Sequence, residues 1–226
     1  MIVVNFMVAI LLSYLLGAIP FGLLVSRRSA KVDIRKYGSG KTGTTNVLRT
    51  AGKKAAILVL VLDLLKGTLA VTLAGLIVGR NYLLIGDLAL GMITVQVAAA
   101  VAAMVGHNWS IFLKFRGGRG VATFFGGLAA LSPIVALFGG EIVFMGAVLT
   151  RFVSLGSIAG AIAAYMILIP LTIMNGFPLE YLLYAFIGTV TIIIMHRDNI
   201  ARLISGKERK IGEPAEQVVS PLYERE

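Results

Sequence analysis

Long apolar blocks, separated by shorter polar segments, set the first constraint on the fold of this chain. Hydrophobic residues make up 58% of the sequence and charged residues 14%, whereas soluble domains average about 45–50% and about 25%. A helix that crosses a bilayer needs about 20 apolar residues, and several blocks reach that length. The pattern excludes a soluble enzyme, a disordered chain and a coiled coil. It predicts an all-α, polytopic membrane protein.

The positions of the apolar blocks predict seven transmembrane helices, some of them short. The stretch 121–149 is too long for one ordinary helix. It is interrupted at Ser132 and Pro133, and again at Gly139 and Gly140, so it is divided into two helices. The predicted helices are 2–25, 55–78, 88–105, the two within 121–149, 152–173 and 180–195.

The distribution of Lys and Arg predicts the orientation, because cytoplasmic loops of membrane proteins are rich in these residues. With seven helices, nearly all of the 21 Lys and Arg residues fall on one side. The amino end is therefore predicted outside the cell and the carboxyl end in the cytoplasm. Residues 1–205 are predicted to form a single membrane domain and residues 206–226 a polar cytoplasmic tail. No sequence repeat is visible, so an inverted-repeat transporter gains no support.

The net charge of +10 would suggest a nucleic-acid partner in a soluble protein. Here the cations lie between apolar blocks, which favours membrane topology and anionic ligands instead. The chain contains no Cys and only two His residues, so it offers no thiolate site and no His-rich metal centre. We therefore predict no metal, no cofactor and no nucleic acid.

Two basic loops on the predicted inner side combine glycines, hydroxyls and cations, at 37–49 and 106–123. Glycine lets backbone N–H groups converge on an anion, Arg fits phosphate oxygens, and each loop runs into a helix whose positive end faces the same way. Topogenic charge on a flexible linker is the alternative, but that alternative does not require the glycines and hydroxyls. The loops therefore predict phosphate or carboxylate binding at the inner membrane face.

The segment from Gly38 to Thr42 looks like a nucleotide P-loop, but its spacing is wrong. A P-loop requires a glycine five positions before the Gly of Gly-Lys-Thr, and Arg35 stands five positions before Gly40. No strand is predicted ahead of the segment. We therefore reject a nucleotide site.

Three further features are polar residues near or inside apolar blocks. His196 and Asn199 lie three residues apart after the last block, so they share a helix face; a solvated helix end is the alternative interpretation. Asp63 and Lys66 lie three apart within the second block, where a structural ion pair is favoured over a proton path. Glu141 is an isolated carboxylate without an explanation.

Three motifs in order resemble the bacterial acyl-phosphate:glycerol-3-phosphate acyltransferase family (PlsY). They are the Gly-Ser-Gly…Thr-Asn-Val-Leu-Arg segment ending at Arg49, the Gly-Gly-basic-Gly-Val-Ala-Thr segment around Arg119, and the His-x-x-Asn-Ile-x-Arg-Leu segment from His196. The resemblance covers nearly the whole chain and implies seven helices with an inward-facing site in the bacterial inner membrane. It implies transfer of a fatty acyl group from acyl phosphate to the sn-1 hydroxyl of glycerol-3-phosphate, giving lysophosphatidic acid and phosphate.

The resemblance also implies the site residues, with no cofactor, no metal and no obligatory protein partner. Ser154 is a weaker candidate, from a segment similar to a further family motif. The catalytic or substrate-contacting positions are Ser39, Arg49, Arg119, His196 and Asn199. The phosphate-binding positions are Gly40, Gly43, Thr45, Asn46, Arg116, Gly117, Gly118, Gly120 and Ser154.

The sequence departs from the family pattern at a few loop positions. Lys41 and Thr42 stand where Asn and a small residue or Pro are usual, and Arg116 and Arg119 replace lysines. Arg keeps the charge but is larger and fork-shaped. We therefore expect the geometry around Arg119 to differ from that of the family pattern more than the type of reaction does.

Two questions stay open at this point. The base that accepts the glycerol hydroxyl proton is either His196 or the phosphate of the substrate itself. A transporter of an anionic phosphate compound and a noncatalytic lipid-binding module are the alternatives to the acyltransferase, because the same loops would serve binding alone.

Overall fold

The computed structural model describes residues 1–85 and 88–217, and most of these residues are helical. The prediction of an all-α membrane fold is confirmed, apart from one short β-hairpin. The helices are α1 (Ile2–Ala18), α2 (Phe21–Ala30), α3 (Thr44–Val78), α4 (Met92–Asn108), α5 (Val121–Leu131), α6 (Pro133–Thr150), α7 (Val153–Asn175), α8 (Leu179–Met195) and α9 (Arg197–Ile204).

The first apolar block is one candidate membrane span, Ile2–Ala30, but a break that was not predicted divides it into α1 and α2. The chain leaves helical geometry at Ile19, where ψ is 119°, and resumes with α2 after Pro20. Proline biases the preceding residue toward extended geometry and lacks the N–H that an uninterrupted helix requires. Helix α2 then leads into the first basic loop.

The third helix begins inside the first basic loop, eleven residues earlier than the predicted start at 55. Gly52 interrupts it with φ 85° and ψ 177°, a conformation that only glycine adopts without strain. Helix α3 is therefore kinked at Gly52, and its short amino-terminal part points in a different direction from its membrane-spanning part. Its residues, including Arg49, belong to the site described below.

Other differences from the predicted boundaries are small. Leu83–Ile85 and Leu88–Leu90 pair as an antiparallel hairpin, and α4 therefore begins at Met92 rather than 88. The division of 121–149 at Ser132 and Pro133 is confirmed. The predicted interruption at Gly139 and Gly140 is wrong, because α6 runs through both glycines.

Glycines permit three close helix crossings. A Cβ on Gly67 of α3 would lie 2.1 Å from the Thr123 carbonyl oxygen of α5, and one on Gly126 would lie 1.9 Å from that of Leu64. Gly17 and Gly106 permit a close crossing of α1 and α4. Gly146 and Gly156 permit a close crossing of α6 and α7. Small residues at contacts between membrane helices let the backbones approach, which brings dispersion packing that lipid does not replace.

The packed centre of the bundle lies where α4, α5, α7 and α8 meet. Tyr184 of α8 and Phe124 of α5 are fully buried, and the Tyr184 hydroxyl donates a 3.0 Å hydrogen bond to the Phe124 carbonyl oxygen. This contact anchors the short helix α5, whose first residues line the site.

The outer surface is apolar, as expected of helices that face lipid. Leu76, Leu137 and Leu149, for example, are exposed on α3 and α6. Among the described residues, five helical segments are long and apolar enough to cross a membrane, or six if the bent pair α8 and α9 counts as one, by length and composition only. Helix α5 is apolar but shorter. Seven spanning helices, and the orientation, stay predictions.

Candidate active site

A cavity of about 440 Å³ lies where the two basic loops, α6, α7 and the α8–α9 junction meet. One end is lined mostly by polar and charged side chains and the other mostly by apolar side chains of α3, α5 and α6, and Asp63 and His107 also line the cavity. The cavity therefore joins a site for anions to a groove for hydrocarbon.

Five residues from three separate sequence motifs share the polar end. The first loop and α3 contribute Ser39 and Arg49, the second loop contributes Arg119, and the α8–α9 junction contributes His196 and Asn199. Gly43, Thr45, Asn46, Gly120 and Ser154 also line the cavity. Gly40, Arg116, Gly117 and Gly118 are not among the lining residues.

Three helices present their amino ends to the cavity. Helix α3 starts after Gly43, α5 starts after Gly120, and α7 places Ser154 in the cavity within its first turn. The amino end of a helix carries a partial positive charge and free N–H groups. Three such ends attract negative charge to one cavity.

Arg119 has a buried guanidinium nitrogen with no hydrogen-bond partner. Its Nε, like the Nε of Arg49, finds no acceptor within the described residues. Burial, followed by the positive charge of Arg202, lowers the pKa of Arg119 to about 10, so the group is still a cation at neutral pH. A buried, unsatisfied cation is costly, which makes the cavity a strong attractor for an anionic ligand.

His196 is held as a neutral ring with a defined tautomer. Its Nδ1 lies 2.8 Å from the Ile192 carbonyl oxygen, which only accepts, so Nδ1 carries the proton and Nε2 has a free lone pair. Burial, with the nearby charge of Arg119, lowers the pKa of His196 to about 4. A phosphate anion beside the ring would raise this pKa.

Glu208, which the sequence analysis missed, ties three site residues together. Its carboxylate accepts hydrogen bonds from Asn199 Nδ2 at 2.6 Å, Ser154 Oγ at 2.9 Å and Arg202 Nε at 2.8 Å. Burial alone raises the pKa of Glu208, but these hydrogen bonds outweigh it and lower the pKa overall. The only signal for Glu208 in the sequence is its closeness to the His196 motif.

The segment after α9 crosses the mouth of the cavity. Arg49 Nη2 donates to the carbonyl oxygen of Arg209 at 3.0 Å, and the Ile211 N–H donates to that of Arg151 at 2.8 Å. Glu208 and Ile211 line the cavity, although both lie beyond the predicted domain boundary at 205. The tail is therefore part of the site.

Lys41 is a further cavity residue that we had considered only as a departure from the family pattern. Burial, followed by the charge of Arg119, lowers the pKa of Lys41. Lys41 therefore adds a further cation to the cavity.

Three of the predicted phosphate-binding glycines use their N–H groups within the loops. The N–H groups of Gly117 and Gly118 donate to the carbonyl oxygens of Asn108 and His107, and that of Gly40 donates to Tyr37. These donors are already used, so they do not cradle phosphate in this arrangement. Arg116 is exposed and outside the cavity.

Asn46 shapes the first loop. Its side-chain nitrogen lies within hydrogen-bond distance of the carbonyl oxygens of Ile34, Tyr37 and Lys41, and its Oδ1 accepts from the Ser39 N–H at 3.3 Å. The amide is therefore occupied by the loop itself. It holds Ser39 in place rather than offering a donor to a ligand.

The apolar end of the cavity is a groove between three helices. Leu60 and Leu64 come from α3, Phe125 from α5, and Val143 and Phe144 from α6. The groove leads away from the charged end along the spanning helices. Its chemistry matches a fatty acyl chain, which gains free energy by leaving water.

Taken together, the fold and the site define an integral membrane protein with a cavity, lined by cations and apolar side chains, at the end of its helical bundle. Comparisons with known proteins identify the family of this chain. Residues 7–206 match the family Glycerol-3-phosphate acyltransferase, so the chain belongs to that family.

Curated relatives and solved structures support the same family assignment. A glycerol-3-phosphate acyltransferase 3 of Dehalococcoides mccartyi is 56% identical over 95% of this chain and 100% of its own. A glycerol-3-phosphate acyltransferase of Thermus thermophilus is 42% identical over 92% of this chain and 96% of its own.

Crystal structures of the integral membrane glycerol 3-phosphate acyltransferase PlsY (YgiH) share the fold. The glycerol 3-phosphate form has TM-score 0.79 and 35% identity, covering 92% of this chain and 96% of that one. The lysophosphatidic acid form has TM-score 0.77 and 34% identity over 92% and 95%. The resemblance in the motifs is thereby confirmed, and it favours the acyltransferase over a transporter or a lipid-binding module.

Proposed function

We propose that this chain transfers a fatty acyl group from acyl phosphate to the sn-1 hydroxyl of glycerol-3-phosphate, yielding lysophosphatidic acid and inorganic phosphate. The observation that carries the proposal is the continuity between a cationic pocket and an apolar groove within one cavity. Both substrates are phosphates, and one also carries a hydrocarbon chain. A cavity with a single chemical character would not hold the pair.

The reaction is a substitution at the acyl carbonyl carbon. The glycerol oxygen forms a bond to that carbon, the bond from the carbon to the phosphate oxygen breaks, and phosphate leaves with the electron pair. Arg119 and the amino ends of α3 and α5 stabilise the charge on the carbonyl oxygen and the leaving phosphate. Acyl phosphate is a mixed anhydride with a good leaving group, so the reaction requires no cofactor and no covalent enzyme intermediate.

Positioning supplies much of the rate. Holding both reactants in one cavity replaces a bimolecular encounter, which accounts for up to about 7–11 kcal/mol in ideal cases. Ser39, Arg49 and Asn199 are assigned to binding and orienting the two phosphates. The unpartnered Arg49 Nε and Asn199 Oδ1 support this assignment, because both are buried and face no acceptor or donor of the described chain.

Two groups compete for the glycerol proton. His196 Nε2 has the free lone pair that a general base requires, since Nδ1 is held by Ile192. Its pKa of about 4 makes it a weak base until a phosphate anion binds nearby. The phosphate of the substrate itself, with a second pKa near 6, is the other candidate.

The distribution of cations supports a site that faces the cytoplasm of a bacterial cell. The cavity is built from the two basic loops and the basic carboxyl-terminal segment, which belong on the inner side under the positive-inside tendency. No obligatory protein partner is included in the proposal, because a single chain supplies the whole cavity.

The experiment is a phosphate-release assay on purified protein in lipid. We expect phosphate release from acyl phosphate only when glycerol-3-phosphate is also present, together with formation of lysophosphatidic acid. Folded protein that releases no phosphate under these conditions contradicts the proposal. Activity with acyl-CoA alone would reassign the donor, and uptake of glycerol-3-phosphate into proteoliposomes without acyl transfer would make the chain a transporter.

A further inference from the structure

A cluster of three ionisable side chains is buried on α3 and at the end of α4, and two of them, Asp63 and His107, also line the cavity. Asp63, Lys66 and His107 are 1%, 2% and 7% exposed. Lys66 Nζ lies 2.8 Å from Asp63 Oδ1, as an ion pair without good hydrogen-bond alignment, and 3.4 Å from His107 Nδ1. The same Asp63 oxygen lies 3.7 Å from His107 Nδ1.

Buried charges of this kind require a reason. Ionisable side chains inside membrane helices are rare and usually serve a function, because removing them from water is costly. The proposed reaction uses none of the three as a base or a phosphate ligand. The sequence alone favoured a structural pair of Asp63 and Lys66 and did not include His107.

His107 connects the cluster to the second basic loop. The Gly118 N–H donates to the His107 carbonyl oxygen at 3.1 Å, and the Gly117 N–H donates to that of Asn108 at 3.0 Å. A Cβ on Gly118 would lie 2.1 Å from His107 Nε2, and one on Gly117 would lie 2.0 Å from the His107 carbonyl oxygen. The loop backbone therefore rests directly on the ring and the carbonyl of His107.

The residue after these glycines is Arg119, the buried cation of the cavity. We propose that the cluster of Asp63, Lys66 and His107 is a positioning device, which fixes the His107 ring and, through Gly117 and Gly118, the place of the Arg119 guanidinium. This inference rests on the proposed function, because it assigns the cluster a part in the same reaction.

The geometry explains how the ring is fixed. Lys66 Nζ also lies 5.0 Å from the centre of the Phe21 ring on α2, so α2, α3 and α4 all hold the cluster. His107 Nδ1 faces both the Lys66 ammonium, which only donates, and Asp63 Oδ1, which only accepts, so the two charged groups hold the ring by this edge while Nε2 lies toward Gly118. A ring that is free to turn would move Gly118, and Arg119 with it.

The test is a double-mutant cycle between the cluster and Arg119. Asp63→Asn combined with Lys66→Met removes both charges and keeps similar volumes. We expect this change to lower kcat/KM for glycerol-3-phosphate by about 10- to 100-fold, as expected for a displacement near 1 Å. In an Arg119→Ala background the same change should lower kcat/KM by less than about twofold, because the group that it positions is gone.

Two further variants are measured beside the double-mutant cycle. His107→Gln leaves the ion pair in place and removes only the ring, so it tests the inference even if the charge variant does not fold. Thr72→Val, at an exposed position of α3 away from the cavity, is the matched control and should leave kcat/KM unchanged.

The outcomes separate the inference from its alternatives. An equal loss in the wild-type and Arg119→Ala backgrounds would mean that the cluster acts independently of Arg119, either on the substrate or on the whole fold, and would overturn the inference. Full activity of both the charge variant and His107→Gln would also overturn it. The proposed function is judged separately, by the activity of the unaltered protein in the same assay.

Discussion

Asn199 Nδ2 lies 2.6 Å from Glu208 Oε1, across the turn that follows α9. The same carboxylate binds Ser154 of α7 and Arg202 of α9, so one anion joins two helices at the mouth of the cavity. The bond also fixes the amide of Asn199 with its Oδ1 free. A residue of the tail thereby determines how a residue of the third motif faces the substrate.

Glu208→Gln is expected to weaken this junction. Hydrogen bonds to charged groups each contribute about 1.5–3 kcal/mol, and the amide retains only part of them. We expect the thermal unfolding temperature to fall and kcat/KM to drop by about tenfold. Glu216→Gln, on the exposed part of the tail, is the control and should have no effect.

The pH dependence of stability gives a second measure of the same carboxylate. Because the pKa of Glu208 is lowered by folding, its stabilising effect is full above its ordinary pKa of 4.5 and is lost as the pH falls through the lower folded value. As the pH is lowered from about 5 to well below 4.5, the unaltered protein should therefore lose more stability than Glu208→Gln. Equal losses of stability in the unaltered protein and in Glu208→Gln would contradict the role of the ionised carboxylate.

Arg119→Ala should be among the most damaging substitutions. Removing a donor that stabilises transition-state charge lowers kcat by about 10²–10³-fold. Arg119→Lys keeps the charge but loses the fork, and we expect it to retain activity within about tenfold. Arg116→Ala is the matched control in the same loop, because Arg116 lies outside the cavity. Equal losses for the two arginine-to-alanine variants would contradict the geometry.

His196→Asn tests the identity of the base. An Asn side chain places an amide donor near the position of Nδ1, so the bond to Ile192 is retained while Nε2 is removed. If His196 is the base, kcat should fall by about 10²–10⁴-fold. A fall of less than about tenfold would assign the proton to the substrate phosphate. The apparent pKa of kcat/KM would then follow the substrate rather than the ring.

Gly140 on α6 is expected to influence acyl-chain length. It lines the groove one turn beyond Val143 and Phe144, about 10 Å along α6 from Ala147, and a Cβ placed on it meets no atom within 4 Å. Gly140→Leu should therefore fold normally and lower kcat/KM for long-chain acyl phosphates while sparing short ones. Val148→Phe adds bulk to an exposed face of α6 and should leave the preference unchanged. An unchanged chain-length profile for Gly140→Leu would place the acyl chain elsewhere.

Local patterns in the sequence were sufficient for the membrane class, the family and five of the polar residues that meet in the cavity. Apolar length decides whether a segment partitions into lipid, and this property needs no tertiary information. The break at Pro133 was recognised because proline acts on its own backbone, whereas the break at Pro20 lay within an apolar block and was missed. Ser39, Arg49, Arg119, His196 and Asn199 were found because their motifs are contiguous in the chain.

Only the tertiary structure decided which groups remain available for a ligand. Gly117, Gly118 and Asn46 looked like phosphate donors, but in the folded loops their hydrogen bonds go to backbone carbonyl groups 5 to 12 residues away in the chain. Glu208 and His107 gained their roles from neighbours on other helices, at sequence separations that no local pattern encodes. A buried N–H group bonds to the acceptor that folding places beside it, and it is then unavailable to a ligand. The packing of the whole bundle decides which acceptor that is.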